Sequence, residues 1–236
     1  MLLLAHRGAR KFAPENTFTA FEICLQQGCD GFEFDVRQTA DAKPIIWHDP
    51  RIARKLIQSA TFQDIVEAHA RPRRFIPKKH KGAVLCCLNE LLETYASRAF
   101  LDIEIKTAGF EQQVVYLLRS LRTPPRGLVV SSFLPTVLTR LHRLAPELPL
   151  GYIANRRGKL AMWKRLPIEY IKPHWRLATK RAIRNYHQAG KKVIVWTVNT
   201  ANGMRRYAEY GADGIISDNT ELMCRLFHNA ATKLHV

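Results

Sequence analysis

The chain has 236 residues, 47% of them hydrophobic, and a formal net charge of +17. This length and apolar fraction suit one domain over residues 1–236 with a large core, and the charge favours anionic partners: nucleic acid, acidic lipid headgroups or a phosphorylated substrate. No apolar run approaches the roughly 18 residues of a membrane span, residues 2–5 are too short for a signal-peptide core, and five cysteines without a paired CxxC spacing argue for free thiols in a reducing, cytoplasmic setting.

Strand-like and helix-like stretches alternate along the chain. Residues 2–5 read as a strand, and residues 17–27 as a helix with Asn16 or Thr17 as its N-cap. Two strands follow, 31–36 and 44–48, with a gap between them too short for a crossover helix. Residues 50–84 break the rhythm and contain the basic run "RPRRFIPKKHK" at 71–81, which reads as an insertion near one end of the domain. A helix at 88–96, with Asn89 at or near its start, leads to a strand at 100–105. The sequence then continues helix 111–121, strand 128–131, helix 135–144, strand 150–154, strand 170–172, helix 179–189, strand 193–197, helix 201–210, strand 214–217 and helix 219–228. Repeated β-then-α order with short turns predicts parallel strands covered by helices. The expected fold is a TIM (β/α)8 barrel with a small insertion after the third strand, and an open doubly wound sheet is the alternative. Nine strand-like runs leave one surplus to a barrel, and no glycine-rich phosphate loop follows the first strand.

In such a barrel, catalytic groups stand at the C-terminal ends of the strands. The first strand delivers His6 and Arg7. The second carries Glu33 and Asp35, two apart and so on one side. The third ends in His48 and Asp49. The fourth places Asp102, Glu104 and Lys106 on one face and Ile103 and Ile105 on the other. Carboxylates inside apolar strands are costly unless they are paired or bound to metal. Glu33, Asp35 and Glu104 offer hard oxygen ligands suited to Mg²⁺ or Ca²⁺. Two histidines can divide proton transfer between them, and Arg7 and Lys106 can hold the charge of a phosphate. Together these groups describe a phosphodiester-cleaving site.

The motifs "HRG" (6–8), "PENT" (14–17), "EFDV" (33–36), "HD" (48–49), "EIK" (104–106), "SF" (132–133), "WTVN" (196–199) and "DGIISD" (213–218) are also present in this order. The set resembles the glycerophosphodiester phosphodiesterase family. That resemblance implies a TIM barrel that uses one divalent cation to cleave a small-molecule glycerophosphodiester into an alcohol and glycerol 3-phosphate. It implies His6 and His48 as the general acid–base pair, and Glu33, Asp35 and Glu104 as metal ligands. Arg7 and Lys106 would contact the phosphate, and Trp196 would line the wall beside the glycerol or headgroup. Glu15 would support Arg7, Asp49 would orient its neighbour and Asp102 would stand behind the metal ligands. Ser132 and Asn199 are either structural or peripheral, and Lys172 and His174 end another strand near the mouth. Two places depart from the family: "PRIARKL" follows "HD" where an Arg-Thr-Thr stretch is usual, and "VLCCL" stands where Ile-Pro-Thr-Leu is usual. Other readings are a phospholipase D-like hydrolase of lysophospholipids or sphingolipids, and a basic protein that binds nucleic acid or an anionic membrane. The scattered bases and the lack of a nucleic-acid motif weigh against nucleic acid. The run at 71–81 reads as a solvated basic loop or as a guide to an anionic bilayer.

Overall fold

The structure is a computed structural model and describes residues 1–52, 54–70, 82 and 84–232. The basic run at 71–81 lies outside the described residues.

Eleven strands and nine α-helices follow one another among the described residues. The strands are β1 (Leu2–His6), β2 (Gly31–Gln38), β3 (Pro44–Ile46), β4 (Arg51–Ile52), β5 (Lys55–Leu56), β6 (Phe100–Ile105), β7 (Gly127–Ser132), β8 (Leu150–Ala154), β9 (Tyr170–Pro173), β10 (Lys192–Val195) and β11 (Gly214–Ser217). The helices are α1 (Phe18–Gln26), α2 (Phe62–Ala70), α3 (Leu88–Tyr95), α4 (Glu111–Arg119), α5 (Pro135–Leu144), α6 (Arg157–Leu160), α7 (Lys180–Gln188), α8 (Ala201–Glu209) and α9 (Thr220–Thr232). Eight of the nine strands in the main sheet run parallel in the order β1-β11-β10-β9-β8-β7-β6-β2, and β1 pairs with β2 to close the circle. The fold is therefore a TIM barrel. The surplus strand is β3, which folds back antiparallel along the end of β2, pairing Val36 with Ile46 and Gln38 with Pro44. The short gap in the sequence is thus a hairpin turn and not a crossover.

Two separate apolar regions hold the barrel. The larger lies between the sheet and the helices, where Phe21, Phe32 and Phe34 pack with Tyr95, the Phe21 and Phe32 rings stacking at 4.1 Å. A second cluster, of Leu4, Val129, Tyr170, Ile194 and Ile216, fills the barrel interior beneath the catalytic cavity, with Ile216 also lining that cavity. A third cluster (Ile45, Trp47, Ile52, Ile57, Ala60 and Ile65) is built by β3 and the residues after it. No helix among the described residues is long and apolar enough to cross a membrane.

Local chemistry explains the helix starts. Thr17 caps α1, its side chain accepting from Ala20 N, while Asn16 takes φ +58° and turns its side chain elsewhere. For α3 the cap is Cys87 and not Asn89, with Glu90 reaching back to the Cys87 N–H at 3.1 Å. Gly8 sits at φ +81°, where a Cβ would meet the Ala20 backbone at 2.7 Å, so only glycine lets the end of β1 pass this close to α1.

Candidate active site

Parallel register sets the acids side by side at one end of the barrel. His6 on β1 lies opposite Glu33 on β2, Glu33 opposite Asp102 on β6, and Asp35 opposite Glu104. Glu33, Asp35 and Glu104 are all buried and bring one carboxylate oxygen each to within 4.8 Å of one another. Asp35 is held by cations: Arg7 Nε at 2.9 Å and Lys106 Nζ at 3.2 Å, with Asn16 Nδ2 donating at 2.9 Å. Burial alone would raise its pKa, but Arg7 and Lys106 hold the carboxyl well below the usual carboxylate range. Glu33 has the opposite fate. Burial, and then the charges of Asp35 and Glu104, push it well above its ordinary value. Its Oε2 is buried without a hydrogen-bond partner, and His6 Nε2 stands 3.8 Å away, outside hydrogen-bonding range. Burial and Asp35 also raise Glu104, although Lys106 Nζ lies 2.6 Å from its Oε1.

Three hard-oxygen donors converge here, and one of their buried oxygens has no partner. This donor set fits a divalent cation of the Mg²⁺ or Ca²⁺ kind.

Both imidazoles are held by the same device. His6 Nδ1 lies 2.7 Å from Asp218 Oδ1, and His48 Nδ1 lies 2.7 Å from Asp49 Oδ1. With each Nδ1–H donated to a carboxylate, Nε2 is left as the basic nitrogen. Burial lowers both histidine pKa values, so each ring favours the neutral form at neutral pH. Asp218 is itself fixed by Asn199, whose Nδ2 donates to Oδ2 at 2.7 Å, and by Arg10 at 3.2 Å. A cavity of about 180 Å³ brings these groups together, lined by His6, Arg7, Glu33, His48, Glu104 and Lys106, with Phe133, Lys172 and Trp196 among its walls.

A model of the glycerophosphoryl diester phosphodiesterase family matches residues 6–222. The chain belongs to that family. It is a phosphoric diester hydrolase by membership. The glycerophosphodiester phosphodiesterase of Caldanaerobacter subterraneus subsp. tengcongensis is 28% identical over 239 residues, covering 95% of this chain and 97% of the relative. A crystal structure of glycerophosphodiester phosphodiesterase from Agrobacterium tumefaciens superposes with a TM-score of 0.78 at 26% identity, covering 95% of this chain and 99% of the other. An Oleispira antarctica phosphodiesterase, solved in complex with the product sn-glycerol-3-phosphate, superposes with a TM-score of 0.78 at 22% identity, covering 97% of both chains.

Within this family frame, the sequence-predicted site residues fall as follows. His6, Arg7, Glu33, His48, Glu104, Lys106 and Trp196 line the one cavity, and Asp35 lies buried behind it. Glu15 sits 3.1 Å from Arg7 NH1 and 2.7 Å from Arg10 NH2. Asp49 is on His48. Asp102 lies one layer deeper, paired with Lys172 Nζ and accepting from Ser131 Oγ at 2.8 Å. Lys172 reaches the cavity wall, whereas His174 stands behind Trp196 with ring centroids 5.3 Å apart. Ser132 is structural, accepting from Leu134 N and donating to Ile105 O. Asn199 buttresses Asp218. Three polar groups have no role in the site on the sequence alone: Asp218, Arg10 and Asn16, the last read there only as a helix cap. Asp218 could have been found by noting that barrel closure seats the last strand beside the first, so the acid ending "DGIISD" must meet "HRG". Arg10 lies four residues beyond His6, and Asn16 sits inside "PENT", where its positive φ aims the amide at Asp35.

Proposed function

We propose that this chain hydrolyses glycerophosphodiesters to an alcohol and glycerol 3-phosphate, with His6 and His48 as its general acid–base pair. The observation that carries this reading is the pairing of two carboxylate-held imidazoles with the Glu33–Asp35–Glu104 cluster around one small cavity. The product held by the Oleispira relative supports the substrate class.

Glu33, Asp35 and Glu104 would hold one divalent cation. When bound, such an ion neutralises the phosphodiester's charge and favours attack at phosphorus. The chain's own groups supply the rest. Arg7 and Lys106, paired with the acids and lining the cavity, would take up the phosphate's remaining charge. Trp196, fixed by its Nε1 donating to Lys172 O at 2.8 Å, offers a flat apolar wall to the glycerol or headgroup. One neutral imidazole takes a proton at Nε2 from the attacking hydroxyl, either water or the substrate's own adjacent glycerol hydroxyl; the second route first closes a cyclic phosphate, which water then opens to glycerol 3-phosphate. The other imidazole enters the step as its minor imidazolium form, gives its Nε2 proton to the departing alkoxide, and the two rings recover their starting states by proton exchange with solvent. Asp218 and Asp49 keep Nδ1 protonated, so the exchange stays on Nε2. All five cysteines are free thiols, which supports a cytoplasmic setting.

The test incubates the protein with glycerophosphocholine, glycerophosphoethanolamine and lysophosphatidylcholine, each with Mg²⁺, Ca²⁺ or a chelator, and identifies the products. Glycerol 3-phosphate and free alcohol should form only with a divalent ion. In His6→Ala and His48→Ala, turnover should fall on the order of 10⁴-fold, the upper end for a general acid–base group, with circular dichroism unchanged. Wild-type rates in either variant, or turnover indifferent to chelation, would overturn the assignment.

A further inference from the structure

The loops that leave the C-terminal ends of the barrel strands are unusual in what they expose. Among the described residues, eight large apolar side chains are exposed, and four of them stand on these loops: Phe12 after β1, Leu134 after β7, Met162 after β8 and Trp175 after β9. Trp175 is 39% exposed and Phe12 53%. These tips rise from a strongly basic setting. Residues 155–165 read "NRRGKLAMWKR", with five bases and no acid, and all five bases are exposed. Helix α6, in the middle of this stretch, buries no residue at all, so core packing does not explain its composition.

The same loops enclose an open groove of about 620 Å³ between α6 and α7. Its bases are Arg157, Lys164 and Arg176, its apolar walls include Leu160, Trp163 and Tyr186, and no acid lines it. A run of rings joins the groove to the catalytic cavity. Trp196 lies 5.3 Å from His174, His174 lies 5.5 Å from Trp175, and the Arg176 guanidinium sits 5.0 Å over the Trp175 ring.

Exposed bases mixed with isolated apolar and indole tips match the boundary of an anionic bilayer. Acidic headgroups attract the bases there, and the apolar tips enter the layer below. Aliphatic tips such as Met162 and Leu134 offer nothing for stacking on nucleobases, which favours lipid over nucleic acid as the partner. We propose that the catalytic mouth docks on anionic phospholipid membranes through the loops after β8 and β9. Docking sets the cavity against the headgroup layer, so phosphodiesters at the membrane surface reach it without first entering bulk water.

The test is vesicle co-sedimentation of the full chain, read without turnover, so it is independent of the catalytic assignment. Wild-type protein should bind vesicles of equal parts phosphatidylcholine and phosphatidylglycerol, and should not bind phosphatidylcholine alone. Arg156→Glu with Arg157→Glu should weaken binding about tenfold or more. The same charge change on the opposite face, Arg122→Glu with Arg126→Glu, should weaken it clearly less. Met162→Ser with Trp175→Ser should remove the binding that survives near-molar salt. Turnover of glycerophosphocholine by the Arg156/Arg157 double variant should equal wild type, which shows that the fold and site are intact. The proposal falls if anionic vesicles are not preferred, or if both charge pairs weaken binding equally. Tighter retention on a DNA oligomer than on anionic vesicles at the same salt would also overturn it.

Discussion

Two sets of buried charges sit one above the other in this barrel, and they are built on opposite terms. The lower set is closed: Asp102 is paired with Lys172 and accepts from Ser131, and Lys172 Nζ also donates to Ser131 Oγ at 2.9 Å. Each of these three side chains is answered by another, as burial requires. The upper set, at the strand ends, is left open. Arg7 and Lys106 are shared among the acids, and one oxygen of Glu33 accepts no hydrogen bond. The two sets share a strand, β6 giving Glu104 to the upper and Asp102 to the lower. Burial of charge alone therefore does not mark the site. Incomplete compensation does, because it leaves binding energy to be released when an ion or substrate arrives.

Three single substitutions, one of them with a compensating partner, would break or sharpen this contrast. The largest effect should come from opening the closed set. Asp102→Ala leaves the Lys172 charge buried without its paired carboxylate and should destabilise the fold by about 3 to 5 kcal/mol in chemical denaturation. Adding Lys172→Met to that variant should restore much of the loss. If the single variant is as stable as wild type, the lower set is not the structural element described here.

Next comes Glu33→Gln, which should cut kcat/KM about 100-fold and weaken divalent-ion binding measured by calorimetry. Its effect on stability should have the other sign. Folded Glu33 keeps its proton at pH values where the unfolded chain has released it, so the chelated native state binds more protons than the unfolded state. Chelated wild type should accordingly lose stability as pH rises through the ordinary glutamate range and towards the raised native value. The glutamine variant should lose that slope and melt higher above it. A lower melting temperature for Glu33→Gln under chelation would show that the upper set is compensated after all.

The smallest effect belongs to Asp218→Asn. It leaves His6 in place but loosens its tautomer, and should lower kcat about tenfold with KM little changed. A rise in KM with kcat intact would assign Asp218 to substrate binding instead.

Much of this arrangement was legible in the sequence, for physical reasons that can be named. Strands such as "FLDIEI" carry apolar residues on the face that meets the helices, so Asp102 and Glu104 stand out on the other. The hairpin of β2 and β3 was foreshadowed by a gap too short to cross over. What escaped had no local signature. Helix α6 buries no face and so leaves no apolar period to read, and α2 buries only Ile65 and Ala68. The His6–Asp218 bond spans 212 residues and exists only because the barrel closes. That Arg7 and Lys106 would be drawn onto the acids was equally hidden, since a sequence lists charges without saying which are neighbours.

One consequence follows from where β3 ends. His6 rides on a barrel strand, but His48 rides on a ribbon folded back outside it, whose backing is the separate cluster of Ile45, Trp47, Ile52, Ile57, Ala60 and Ile65. Local opening of a small satellite costs less than melting the whole. Loosening of that cluster would therefore swing His48 aside while leaving the staves intact. How firmly six apolar side chains grip one another would then set how steadily His48 is presented to the cavity.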